Sequence, residues 1–180
     1  FYGTSITQGA TASRPGMAHT NIISRKLDRD VINFGFSGNG RMEQPISKLI
    51  SESNPIFYVI ECMPNMSPDM ITSNTIPLVD TIRNKHPNTP IILVDLFNSP
   101  LTALDNNIDK SRNEMNNALK TEYEKMIDNG YDNIIYLESR NSLGDDFEGT
   151  VDAVHFTDIG FNRYSNFLIK KFKEHKLIEN

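Results

Sequence analysis

Residues 56–62 read IFYVIEC, a short apolar run rich in aromatic and β-branched residues, with no polar side chain before Glu61. A strand with one wet face alternates apolar and polar residues, whereas a continuous run belongs to a strand covered on both faces. IILVDLF at 91–97 and NIIYLES at 133–139 share the pattern, and DVINFGF at 30–36 is a weaker copy. A further strand is expected to end just before Ser5, its beginning lying upstream of Phe1.

Helical patterns fill the intervals. Met17, Ile22, Ile23 and Leu27 share one face within 16–29, and Ile46, Leu49 and Ile50 do so within 43–53. Segment 67–87 starts with Ser67-Pro68, a capping residue followed by proline at the first helical position. Its interior Pro77 predicts a kink or a break. Ile108, Met115, Leu119, Tyr123 and Met126 keep helical spacing up to a stop at Gly130. A last helix, 157–175, carries Lys and His near its end, where they suit the helix dipole. Five strand–helix alternations predict a three-layer α/β/α sandwich around a five-stranded, mostly parallel, flavodoxin-like sheet with right-handed crossovers.

The bulk properties narrow the class. A chain of 180 residues fits one domain, 1–180, with a sizeable core. Its net charge of −5 argues against a nucleic-acid partner, which would need a basic stripe. No apolar run approaches the ~20 residues that cross a bilayer. Cys62, the single cysteine, excludes an internal disulfide and a cysteine-rich metal site. No His-x-x-x-His or clustered carboxylates appear, so neither metal nor cofactor is expected. The start on Phe1 reads as a soluble piece of a longer or processed protein, compatible with export after loss of a signal.

In a doubly wound sheet, ligands sit where loops leave the carboxyl ends of strands. That singles out 4–9, 35–41, 63–67 and 140–157. Ser5, in GTSITQG, can be a helix cap, part of a phosphate cradle or a nucleophile; the absence of Gly-Lys-Ser/Thr excludes a standard P-loop. A nucleophilic serine needs a base, and the base needs an orienting group. His19, His86 and His175 read as surface or helix-end residues. His155, in DAVHFTDIG, lies between the last strand and the last helix, with Asp152 three residues earlier. Both can also serve as plain helix caps. Developing negative charge on a carbonyl oxygen needs fixed donors. Gly35, Gly38 and Gly40 in NFGFSGNG, and Asn65 in CMPNM, offer them; each is also compatible with an ordinary turn.

These four blocks together resemble the SGNH hydrolases, also called GDSL esterases and lipases. YGTSITQG is similar to the first block, with Ser5 at the nucleophile. NFGFSGNG is similar to the second, with Gly38 at the oxyanion glycine, and CMPNM to the third, with Asn65 at the oxyanion amide. DAVHFTDIGF is similar to the last, with Asp152 and His155. The similarity runs from residue 2 to about residue 162.

The resemblance implies two-step acyl transfer through an acyl-Ser5 intermediate. Ser5 and Gly38 N–H groups and the Asn65 amide would hold the oxyanion, and the substrate would be a small-molecule or carbohydrate ester, O-acetyl groups included. Thr4 stands where the family has Asp, and Met63 and Met66 replace a Gly and an acid, which changes the expected pocket wall. Arg14 and Arg41 follow the first two blocks and are candidates for contacting an acidic or sugar-bearing substrate. The form of the third block is similar to a branch with an additional N-terminal β-rich domain. An acyltransferase with the same triad, a flavodoxin-like nucleotide-binding protein and a domain without catalysis are the alternatives.

Overall fold

The computed structural model describes residues 1–179. Its five strands are β1 (Tyr2–Gly3), β2 (Phe34–Gly35), β3 (Tyr58–Glu61), β4 (Ile91–Val94) and β5 (Ile134–Leu137). They form one parallel sheet in the order β2-β1-β3-β4-β5. The helices are α1 (Ser5–Gln8), α2 (His19–Leu27), α3 (Gln44–Ile50), α4 (Pro68–Arg83), α5 (Pro100–Leu104), α6 (Asn106–Asp128) and α7 (Asp158–Glu174).

The continuous apolar runs make both sheet faces dry. Along β3 and β4, Tyr58, Ile60, Ile91 and Leu93 join a core with Ile50, Leu78, Ile82, Leu119 and Met126, from α3, α4 and α6. Val59, Ile92 and Val94 point the other way, into a core with Ile22, Ile23, Phe161, Leu168 and Phe172, from α2 and α7. All four β4 residues are buried, because a central strand has a helix layer on each face. The three-layer sandwich follows directly from that alternation.

Local signals set the boundaries. The Ser67 hydroxyl accepts from Met70 N (3.3 Å) at the start of α4, with Pro68 in the first turn. Pro77, where a kink or a break is expected, does not break α4, which runs on to Arg83 with Thr75, Leu78 and Val79 packed in the core. Gly130 follows α6 with a left-handed φ of 79°. Helix α5 escaped the sequence reading, although Ser99-Pro100 repeats the Ser67-Pro68 signal: Ser99 Oγ accepts from Leu101 N (3.3 Å). Met17, expected on a helix, lies in a separate 3₁₀ turn, Pro15–Met17, ahead of α2.

The strand order reverses between β1 and β3, and the crevice at their carboxyl ends is where such sheets bind ligands. Among the described residues, an apolar groove of about 420 Å³ lies at the opposite edge, lined by strand beginnings such as Ile32, Phe34, Phe57 and Tyr58. Ser5 does not line it.

Gly40 is where the second loop touches the end of β1. Its φ is 72°, and a Cβ there would stand 2.1 Å from the Gly3 carbonyl oxygen. Gly130 has a similar backbone but open space around it. Gly130→Ala should therefore cost about 1 kcal/mol, the left-handed backbone alone. Gly40→Ala should add roughly 1–3 kcal/mol of overpacking. Denaturant unfolding of the two variants side by side measures the difference.

Candidate active site

Ser5 is the first residue of α1, directly after the end of β1. Thr4 is extended and caps the helix, its hydroxyl accepting from Ile6 N (3.3 Å). Threonine and aspartate share that capping ability, so the helix start tolerates Thr4 where the related pattern has Asp. The first N–H groups of a helix have no partner within it, and that of Ser5 is one of them. Ser5 itself is 7% exposed.

Ser5 Oγ lies 2.9 Å from His155 Nε2, and His155 Nδ1 lies 2.7 Å from Asp152 Oδ2. The loop that carries the last two folds on itself. Thr150 and Phe156 form an antiparallel bridge, and Val151 N donates to His155 O (2.9 Å). Asp152 Oδ1 accepts from the N–H groups of Val154 (3.0 Å) and His155 (2.7 Å), closing a tight turn. Ala153 sits in that turn with φ 68°, and Ser99 Oγ donates to its carbonyl (2.5 Å). Phe156, 1% exposed, packs edge-on against Phe97, Phe161 and Tyr164.

Burial opposes the charge on Asp152, but hydrogen bonds from the His155 ring and from two N–H groups outweigh it and hold the carboxyl at about 2. An ionised Asp152 accepts from Nδ1–H and leaves Nε2 with its lone pair toward Ser5 Oγ. Two further ties keep the partners together. Thr11 Oγ1 donates to Phe156 O (2.8 Å), and Ser13 donates to Asp158 from both its backbone N (3.0 Å) and its hydroxyl (2.5 Å).

Gly38 sits at the tip of the loop after β2 with φ 69° and open space where a Cβ would stand. Asn65 ends a 3₁₀ turn, Met63–Asn65, after β3, and its Nδ2 donates to Asn39 O (2.6 Å). An amide nitrogen carries a second N–H beyond the one used here. Arg41 Nη2 donates to Gly38 O (3.0 Å), its backbone N donates to Glu43 Oε2 (2.7 Å), and Asn74 Nδ2 donates to its carbonyl (2.9 Å). At least one face of the Arg41 guanidinium is thus spent on bracing the loop. Arg14 is exposed, next to the carboxylate of Asp158.

Met63 and Met66 are 1% and 7% exposed and pack in the core with Tyr2, Met42 and Ile71, and Met63 also lines a small cavity beside Ile6, Thr7 and Phe156. His19 was to be a surface or helix-end residue. It does begin α2, but it is fully buried, with its Nε2 2.7 Å from Glu61 Oε1 and its ring stacked on Phe161. His86 meets Ser51 O (2.9 Å) and His175 caps α7. Among the described residues no helix is long and apolar enough to cross a membrane, and no three His, Cys, Asp or Glu side chains cluster as metal ligands would.

The model of the GDSL-like Lipase/Acylhydrolase family matches residues 1–173. A solved structure from Bacteroides ovatus, described as a GDSL-like lipase, is 34% identical, superposes with a TM-score of 0.94, and is matched over 99% of this chain and 53% of its own. A salicylyl-acyltransferase from a tetracycline biosynthetic pathway is 18% identical, with a TM-score of 0.84 over 98% of this chain and 54% of its own. A family two carbohydrate esterase from Clostridium thermocellum, in complex with cellohexaose, is 15% identical, with a TM-score of 0.70 over 99% of this chain and 64% of its own. At such identities the latter two share the fold. The chain spans roughly half to two thirds of the length of all three. No curated protein sequence matches it.

Asp152 gives a pH-dependent signature. A carboxyl depressed to about 2, against about 3.9 in an unfolded chain, stabilises the fold above about pH 4 and loses that contribution as pH falls toward 2. The stability advantage of wild type over Asp152→Asn should therefore shrink from pH 6 to pH 2. Urea unfolding at both pH values checks this, with Asp146, also depressed to about 2, common to both proteins.

Proposed function

The chain belongs to the GDSL-like lipase/acylhydrolase family, and we propose that it is a serine esterase that passes an acyl group from a carboxylic ester through Ser5 to water. The observation that carries this reading is the unbroken line Asp152 Oδ2–His155 Nδ1 (2.7 Å) and His155 Nε2–Ser5 Oγ (2.9 Å). A phosphate cradle would leave the serine hydroxyl free to donate to its ligand; here the hydroxyl faces an imidazole.

In this reading Nε2 takes the Ser5 proton as Oγ attacks the ester carbonyl carbon. The carbonyl oxygen gains negative charge, which the N–H groups of Ser5 and Gly38 and the Asn65 amide stabilise. The imidazolium is balanced by Asp152, then gives its proton to the departing alcohol. A water molecule, deprotonated by His155, releases the acid from Ser5. The bracing of the Gly38 loop by Asn65 and Arg41 supports a donor set fixed before the reaction begins.

For the substrate we propose an acetylated carbohydrate or similar small ester. The fold shared with a carbohydrate esterase and the two arginines near the site support that choice. An alcohol in place of water would turn the same steps into acyl transfer.

Hydrolysis of p-nitrophenyl acetate tests the assignment. Ser5→Ala and His155→Ala should each lower turnover by about 10³-fold or more, and Asn65→Ala by about 10²–10³-fold. Unchanged turnover in Ser5→Ala ends the nucleophile assignment. Adding a carbohydrate alcohol as acceptor separates the two fates: release of free acetate favours the esterase, an acetylated acceptor the transferase.

A further inference from the structure

Glu61 is a buried carboxylate that the steps above leave unused. It ends β3 and is 7% exposed. Three donors from three elements converge on it. Thr7 Oγ1 of α1 is 2.6 Å from Oε1, His19 Nε2 of α2 is 2.7 Å from Oε1, and the Tyr164 hydroxyl of α7 is 3.1 Å from Oε2. A buried charge is a poor device for stability alone, since apolar side chains of similar volume hold a core as well or better. Its use must lie in what it positions.

Two of the donors lead to the reacting groups. Thr7 stands two residues from Ser5 in a helix of four residues, too short to hold its own shape. Tyr164 packs its ring 5.2 Å from that of Phe156, the residue next to His155. One carboxylate therefore grips both sides of the Ser5–His155 contact from below. On its other side the backbone of α1 is held by Gly35 of β2, which packs directly against Thr7 and Gln8, and by Asn33 Nδ2, which donates to Thr7 O (2.7 Å); the Thr7 hydroxyl adds the tie to β3. A cavity of about 20 Å³, roughly the size of one water, lies among Ile6, Thr7, Glu61, Phe156 and Tyr164, so the side chains around the Thr7 bond are not fully close-packed.

We propose that Glu61 is a positioning residue that sets the approach of Ser5 Oγ to His155 Nε2, acting through Thr7 on one side and Tyr164 on the other. The inference rests on the esterase reading. Misplacement of a reacting group by about 1 Å is enough to cost 10²-fold in rate.

The test compares Thr7→Val, which keeps the shape and loses the donor, with Thr7→Ser, which keeps the donor, and with Glu61→Gln. Each is measured below its melting temperature for kcat and KM on p-nitrophenyl acetate, and for the rate at which a fluorophosphonate labels Ser5. Thr7→Val and Glu61→Gln should lose about 10- to 100-fold in kcat and in labelling rate with KM nearly unchanged, while Thr7→Ser stays near wild type. Folded Thr7→Val with wild-type kcat and labelling overturns the proposal, as does an equal loss in Thr7→Ser. If Glu61→Gln fails to fold, the Thr7 pair decides. Failure of the esterase reading has its own mark, turnover that survives Ser5→Ala, and it removes this inference as well.

Discussion

A parallel sheet dry on both faces has one place to put polar chemistry, the loops at the carboxyl ends of its strands. Every side chain of β4 is buried, and β3 is apolar until its final residue. The alternation of inward directions commits three helices to one face and two to the other. What remains is a single edge. There the loop after β1 brings Ser5, the loop after β2 brings Gly38, the loop after β3 brings Asn65, and the segment after β5 brings Asp152 and His155. The strand order reverses between β1 and β3, and of these residues Ser5, His155 and Asp152 are in hydrogen-bond contact.

Loops are the mobile part of most folds, so their fixing needs explanation. Here it comes from side chains that bond to backbone carbonyls: Asn65 to Asn39, Arg41 to Gly38, Asn74 to Arg41, Ser99 to Ala153 and Thr11 to Phe156. This gives two of the asparagines, Asn65 and Asn74, a role that composition leaves open. The left-handed residues Gly38, Gly40, Met42 and Ala153 sit in the same loops. Such conformations persist where surrounding contacts over-determine them, and they concentrate near sites of chemistry.

The layered fold was legible because its signals are local. Continuous apolar runs located β3, β4 and β5, and Ser67-Pro68 located α4. The candidate site was legible because strand ends are recognisable and four blocks fall on them. What stayed hidden was tertiary. Nothing near His19 in the chain announces that its partner is Glu61, 42 residues away. A lone acid closing an apolar strand was the available clue. The burial of Met63 and Met66 goes with a 3₁₀ turn and the extended residue after it, which periodicity does not reveal. Pro77 did not break α4, whose apolar contacts lie on both sides of it, and α5 was too short for a periodic pattern to register.

Asp152 and His155 are joined by a turn of four residues with bonds from both backbone and ring. Three bonds within that turn hold them together, and one, His155 Nε2 to Ser5 Oγ, joins them to the serine. Warming or a mild denaturant would therefore spread its first loosening across the gap between hydroxyl and imidazole, leaving the acid–imidazole unit whole. Loss of function would then run ahead of global melting.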